Sequence, residues 1–145
     1  MTLPNIVLVH SHDTGRFVQP YGHQVTTPNI QRLADQGLLF RNAFAAAPTC
    51  SPSRAALLTG RWPHANGMLG LAHRGFSLDD VDQHIIHTLR EAGYWTAMVG
   101  EQHVSADPDE LGYDLVADAD TSEALHVAPA AVELLRERPP QPFFL

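Results

Sequence analysis

The sequence contains no lysine, only one cysteine and no long hydrophobic run. Because all nine basic residues are arginines, an anion would have to be bound by arginine, histidine, backbone N–H groups or a metal ion. A single cysteine excludes an internal disulfide, so the cysteine count gives no sign of an oxidising compartment. The 145 residues are enough for one domain, and the formal net charge of −7 argues against a nucleic-acid partner.

The chain starts with M-T-L-P-N-I-V-L-V-H, an apolar run without a basic segment before it. This run is too short to span a bilayer and does not have the composition of a secretory signal. We therefore expect a cytoplasmic protein without a membrane partner.

Apolar, β-branched segments alternate with helical patterns along the chain. Strands are predicted over 5–9 and 94–99, an extended segment over 38–47, and the apolar run 143–145 is typical of the start of a buried strand. Helices are predicted from Thr27-Pro28 to Gly37 and over 53–59, 85–92 and about 129–138. An irregular surface segment is predicted over 61–81, and a solvated loop over the acidic stretch 105–121. This alternation predicts an α/β fold with a mostly parallel sheet flanked by helices.

The cysteine lies in the stretch C-S-P-S-R, residues 50–54, which continues as A-A-L-L-T-G-R. A cysteine just before the first turn of a helix lies in the positive potential of unpaired N–H groups, which favours an anion there. Arg54, four residues later, carries donors suited to a sulfate or phosphate oxygen. From these two positions alone, a buried cysteine beside a helix cap is the commoner explanation.

The longer stretch resembles the signature of the sulfatases, C-x-P-S-R followed by A-x-L-x-T-G-R. The resemblance covers about residues 4–104. P-N-I-V-L-V-H-S-H-D-T-G resembles the family's first strand, and H-A-N-G-M-L-G-L-A-H and V-G-E-Q-H-V resemble its N-sulfoglucosamine sulfohydrolase branch. The resemblance implies the N-terminal portion of a single alkaline-phosphatase-like sulfatase catalytic domain.

The resemblance also implies the chemistry. A formylglycine-generating enzyme would convert Cys50 to formylglycine, whose hydrate attacks the sulfur of a small sulfated substrate with one hydroxyl while the alcohol or amine leaves. The second hydroxyl then loses its proton and expels sulfate, which restores the aldehyde. A divalent metal, usually calcium in this family, binds the diol and the sulfate oxygens. The implied activity is hydrolysis of a sulfate ester or an N-sulfate.

Roles carry over by position in the resemblance. Cys50 is the precursor of the nucleophile and a metal ligand, Arg54 orients the formylglycine, and His103 bonds its hydroxyl. Asp13 and His12 stand where the family has a metal-binding Asp-Asp pair. The modifying enzyme is expected to read three residues of the motif: Cys50, Pro52 and Arg54.

Two positions depart from the family pattern: His12 replaces the first Asp of the pair, and Glu101 replaces the Lys of Lys-x-His. Calcium prefers oxygen ligands, whereas imidazole suits zinc, manganese or iron. One hypothesis is therefore that His12, Asp13 and also Glu101 bind a transition metal. Loss of the lysine leaves open a phosphonate monoester or phosphodiester hydrolase with the same nucleophile. Both departures leave open a non-catalytic relative that keeps the fold.

A substrate pocket is only partly represented in this sequence. His64 and His73 flank a Gly-rich segment that is a candidate lining of such a pocket. The family takes further metal ligands and substrate-binding residues from its C-terminal half. We therefore expect residues 1–145 to be inactive by themselves.

Overall fold

The computed structural model describes residues 3–118 and 120–145 and divides into two compact units. One unit comprises Ala45–Leu145 with the N-terminal segment through Leu8, and the other is Val9–Phe44. The helices are α1 Pro28–Gln36, α2 Cys50–Thr59, α3 Pro63–Asn66, α4 Ile85–Glu91 and α5 Ala124–Arg136. The strands are β1 Trp95–Val99, β2 Leu115–Ala117 and β3 Phe143–Phe144. Short 3-10 turns cover Gln19–Tyr21, Ala72–Arg74, Val81–Gln83 and Pro108–Leu111. Within the described ranges, no helix is long and apolar enough to cross a membrane.

The larger unit is built on a parallel sheet in the order β2-β1-β3. Ala97 lies opposite Leu115 on one side of β1, and Trp95 lies opposite Phe143 on the other. Both residues of β3 are buried, as the apolar run 143–145 predicted. The expected α/β fold with a mostly parallel sheet and flanking helices is confirmed.

The segment 5–9 does not form the predicted strand buried on both faces. Ile6 makes an isolated parallel bridge with Phe144, with 2.8 Å from the Ile6 N–H to the Phe143 carbonyl oxygen. Val7 and Leu8 remain 49% and 43% exposed in this chain. The segment 38–47 is also not a strand in the described structure. The N-terminal segment is nevertheless hydrogen-bonded along β3, since the Leu145 N–H donates to the Ile6 carbonyl oxygen at 2.9 Å and the Leu8 N–H to the Leu145 carbonyl oxygen at 2.7 Å. It therefore lacks the apolar cover of a strand buried on both faces rather than a neighbour to pair with.

Two helices begin earlier than the sequence pattern indicated. Helix α2 starts at Cys50 rather than at Ser53, and α5 starts at Ala124 with Pro129 inside it. Pro52 is the third residue of α2, where the backbone N–H has no partner within the helix, so proline does not mark the start. Helices α1 and α4 confirm the predictions, with Thr27 preceding α1 and Gly93 following the end of α4.

The segment 61–81 contributes to the core instead of covering the surface. Its residues Met68, Ala72 and Leu78 are buried in the cluster that also contains Ile86 and Phe144. The fully buried side chain of Asn66 makes this possible by pairing backbone and side-chain groups. Its Nδ2 donates to the Thr59 hydroxyl at 3.1 Å, and its Oδ1 accepts from the Met68 N–H at 3.0 Å. An irregular segment can therefore enter the core without unpaired polar groups.

The acidic stretch 105–121 also contains structure that the sequence analysis missed. It includes β2 and the turn Pro108–Leu111. Asp114 is not simply solvated, since its Oδ2 accepts hydrogen bonds from the N–H and the hydroxyl of Thr96 at 2.8 and 3.0 Å. These bonds attach the start of β2 to the central strand.

His84 is fully buried at the N-terminus of α4. Its Nδ1 accepts a hydrogen bond from the Ile86 N–H at 3.3 Å, and its ring meets Tyr113 edge to face at 5.6 Å between centroids. Burial, and next the nearby His87, lowers the pKa of His84 from 6.5 to about 4. The folded protein therefore holds this imidazole neutral.

We expect the stability of the full-length protein to fall between pH 6.5 and pH 4. In this range the unfolded chain binds a proton at His84 that the folded chain excludes, so the free energy of unfolding decreases as pH falls. The loss is at most about 3 kcal/mol, because one pKa unit corresponds to about 1.4 kcal/mol. The control His84→Asn keeps a side-chain acceptor for the Ile86 N–H but does not titrate. Between pH 7 and pH 4, Tm should fall less in His84→Asn than in the unaltered protein. Parallel plots of Tm against pH for the two proteins would contradict this expectation.

Candidate active site

Cys50 is the first residue of α2, and its side chain is partly buried. The N–H groups in the first turn of a helix have no partner within the helix and create a positive potential. Cys50 is therefore placed where negative charge on its side chain, or on a group bound beside it, is stabilised. The Sγ of Cys50 and a ring nitrogen of His103 lie within 4.8 Å of each other.

Arg54, one turn further along α2, connects this helix to the loop after β1. Its Nη1 donates to the backbone carbonyl oxygens of Glu101 at 2.7 Å and of Gln102 at 3.3 Å. The guanidinium therefore fixes the loop that carries Glu101 and His103 against the helix that carries Cys50. Arg54, Cys50, Glu101 and His103, singled out from the sequence, are thus brought together in one unit.

The loop after β1 has an unusual backbone. Gly100 has φ of 90°, and a Cβ there would lie 2.9 Å from the Val127 side chain of α5, so glycine is required. His103 also has a positive φ, 58°, which costs a non-glycine residue about 1–2 kcal/mol. Strained backbone of this kind persists only where surrounding contacts hold it.

The Oε1 of Glu101 contacts the Nε2 of His103, and both side chains are partly buried, at 28% and 21% exposure. Glu101, at the position where the family has lysine, therefore places a carboxylate against the imidazole of His103. The ring of His73 lies 6.1 Å from that of His103, and the part of the Gly-rich segment in a substrate pocket stays a prediction. His64, the other candidate in that segment, lies in α3.

Two residues that the sequence analysis missed hold this arrangement. The hydroxyl of the fully buried Ser51 accepts a hydrogen bond from the Ala72 N–H at 3.0 Å, and this fixes the turn that carries His73. The side chain of Gln102 bonds to the backbone of Val104 and Ser105. A serine or glutamine that bonds to backbone groups has no distinctive spacing, so no pattern in the sequence signals it.

His12 and Asp13 belong to the unit Val9–Phe44. The Nε2 of His12 lies 3.6 Å from the Oδ2 of Asp13, and Asp13 has a positive φ of 52°. Metal–ligand bonds of ~2.0–2.6 Å allow two donor atoms at this separation to contact the same ion. This separation is that of a His–Asp contact and is also compatible with one shared ion.

Residues 4–144 match the family model for sulfatases. The chain belongs to the sulfatase family. Among curated sulfatases, human N-sulphoglucosamine sulphohydrolase is 40% identical over 107 residues, which cover 71% of this chain and 21% of the relative. The N-acetylglucosamine-6-O-sulfatase of Bacteroides thetaiotaomicron is 35% identical over 113 residues, which cover 77% of this chain and 19% of the relative. The resemblance identified from the motif is confirmed.

A solved structure of a protein in complex with its substrate D-glucosamine-2-N,6-O-disulfate has the same fold. Its TM-score is 0.79 at 26% identity, over 97% of this chain and 33% of that chain. The sulfatase chain described here spans about a fifth of the length of the curated relatives and a third of the solved one.

We predict that Ser51→Ala destabilises the full-length sulfatase by about 1–3 kcal/mol, because the buried Ala72 N–H loses its acceptor. Ser77→Ala is the matched control, since Ser77 is exposed in the segment 61–81 that carries Ala72, and its replacement should change stability by less than about 0.5 kcal/mol. Urea unfolding of the two variants measures the difference. Equal midpoints would show that Ser51 does not hold this turn.

Proposed function

We propose that the protein to which this chain belongs hydrolyses a sulfate ester or an N-sulfate with a formylglycine made from Cys50. The observation that carries this proposal is the placement of Cys50, in a complete C-S-P-S-R-A-A-L-L-T-G-R motif, at the first residue of α2 and within 4.8 Å of a His103 nitrogen. A nucleophile at a helix N-terminus has its developing negative charge stabilised, and a nearby imidazole can move its proton.

Each residue around Cys50 has a role in this proposal. The hydrated aldehyde would supply one hydroxyl as nucleophile and a second that allows sulfate to leave. His103 exchanges a proton at that group, and Glu101 orients the imidazole through its contact with Nε2. Arg54 adds positive charge one turn along the helix and holds the His103 loop in place.

A divalent metal completes the proposal. His12 and Asp13 would be among its ligands, Glu101 is a further candidate on the sequence hypothesis alone, and the metal would neutralise negative charge on the sulfate oxygens. That Asp13, His12 and Cys50 serve one metal is taken from the sequence resemblance to the family.

The proposed substrate is a small sulfated sugar, with sulfated glucosamine as the first choice. Support comes from the names of the two relatives and from the glucosamine disulfate bound in the solved structure.

The proposed partner is a formylglycine-generating enzyme that reads Cys50, Pro52 and Arg54. From the sequence resemblance we also propose that the chain forms the N-terminal portion of the catalytic domain.

The deciding experiment is mass spectrometry of the Cys50 peptide from full-length protein made in its native host, combined with assays on glucosamine sulfates. We expect a loss of ~18 Da from thiol to aldehyde, together with release of sulfate. The variant Cys50→Ser should show neither. An unmodified thiol would favour the non-catalytic relative, and faster hydrolysis of a phosphonate monoester would favour the phosphorus-ester hydrolase that the Glu101 replacement leaves open.

The metal is tested separately by elemental analysis of the full-length protein. We expect a transition metal, because His12 supplies an imidazole where the family has a carboxylate. His12→Asp restores the family's pair and should raise the bound calcium at the expense of the transition metal. Calcium alone in the unaltered protein would contradict the transition-metal hypothesis.

A further inference from the structure

Gln102 lies between Glu101 and His103 and directs its side chain back onto its own loop. It is 8% exposed. Its Oε1 accepts hydrogen bonds from the backbone N–H groups of Val104 and Ser105, the latter at 2.8 Å, and its Nε2 donates to the Ser105 carbonyl oxygen at 2.7 Å. Both polar atoms of this amide are therefore used to shape the backbone that follows His103.

His103 is held from both sides. On its N-terminal side, Arg54 binds the carbonyl oxygens of Glu101 and Gln102. On its C-terminal side, the Gln102 amide binds the backbone of Val104 and Ser105. Because a φ of 58° is unfavourable for histidine, the backbone would relax to negative φ if one of these sets of bonds were lost. Such a change would rotate the imidazole away from its present position.

We propose that Gln102 is a positioning residue that sets the backbone conformation of His103 and thereby the location of its ring beside Cys50. This inference rests on the proposed function, in which His103 exchanges a proton at the group derived from Cys50. A displacement of a catalytic group by about 1 Å can cost about 100-fold in rate. Gln102 therefore affects the chemical step and leaves substrate binding largely unchanged.

The positioning role of Gln102 can be tested because the loop after β1 is also attached to the fold by a contact that does not involve the Gln102 amide. The side chain of Val104 is buried in the hydrophobic core, so the loop stays attached to the fold when the amide is removed. Gln102→Met keeps the length of the side chain and removes all its hydrogen bonds. Gln102→Glu keeps the acceptor for the two N–H groups and loses the donor to the Ser105 carbonyl. Gln36→Met is the matched control at an exposed position at the end of α1.

The experiment uses full-length protein and glucosamine 2-N,6-O-disulfate, with kcat normalised to the formylglycine content found by mass spectrometry. We expect Gln102→Met to lower kcat about 10- to 100-fold with KM within about twofold, Gln102→Glu to be intermediate, and Gln36→Met to match the unaltered protein. Unchanged kcat would overturn the proposal. A raised KM with unchanged kcat would also overturn it, because Gln102 would then contact substrate.

A second readout does not depend on turnover. The ring signals of His103 in a carbon–proton NMR spectrum, assigned with His103→Gln, should shift in Gln102→Met, and the amides of Val104 and Ser105 should exchange faster with solvent. If the unaltered protein lacks formylglycine and sulfatase activity, the proposed function fails, whereas this readout still decides the positioning role. Unchanged ring signals and amide exchange would overturn it.

Discussion

The hydrogen bonds from Arg54 to the carbonyl oxygens of Glu101 and Gln102 join two segments 47 and 48 residues apart in sequence. One segment is the helix that begins with Cys50, and the other is the loop at the carboxyl end of the central strand β1. Charged donors make strong bonds to carbonyl oxygens, and the rigid guanidinium binds two of them at once. Arg54 therefore fixes where the helix that carries Cys50 lies relative to the loop that carries His103.

The sequence predicted those elements of the fold whose signals are local. Thr27 with Pro28 marks the beginning of α1, Gly93 marks the end of α4, and the β-formers of 94–99 form the central strand. Strand pairing and burial are not local, so the patterns of 5–9 and 38–47 did not decide how far each segment would be paired or covered. The core position of Met68 was also beyond prediction, because it depends on the buried amide of Asn66 rather than on any hydrophobic period.

For the candidate site, the motif around Cys50 pointed to Cys50 and Arg54, the resemblance of V-G-E-Q-H-V pointed to Glu101 and His103, and the structure groups these four residues in one unit. The sequence did not give the residues that hold them. Ser51 and Gln102 act on backbone groups, and many polar residues at many spacings can do that. Such contacts become visible only when the path of the chain is known.

Ser51 and Pro52 are buried once α2 has formed, although both lie in the stretch that the proposed modifying enzyme must reach. An enzyme that recognises Pro52 needs that segment extended and accessible, so it would have to act on a chain that has not yet folded. Conversion and folding would then compete in time during synthesis. A molecule that folds first would keep its thiol permanently, and preparations of one sequence would contain two kinds of molecule whose ratio reflects the speed of folding.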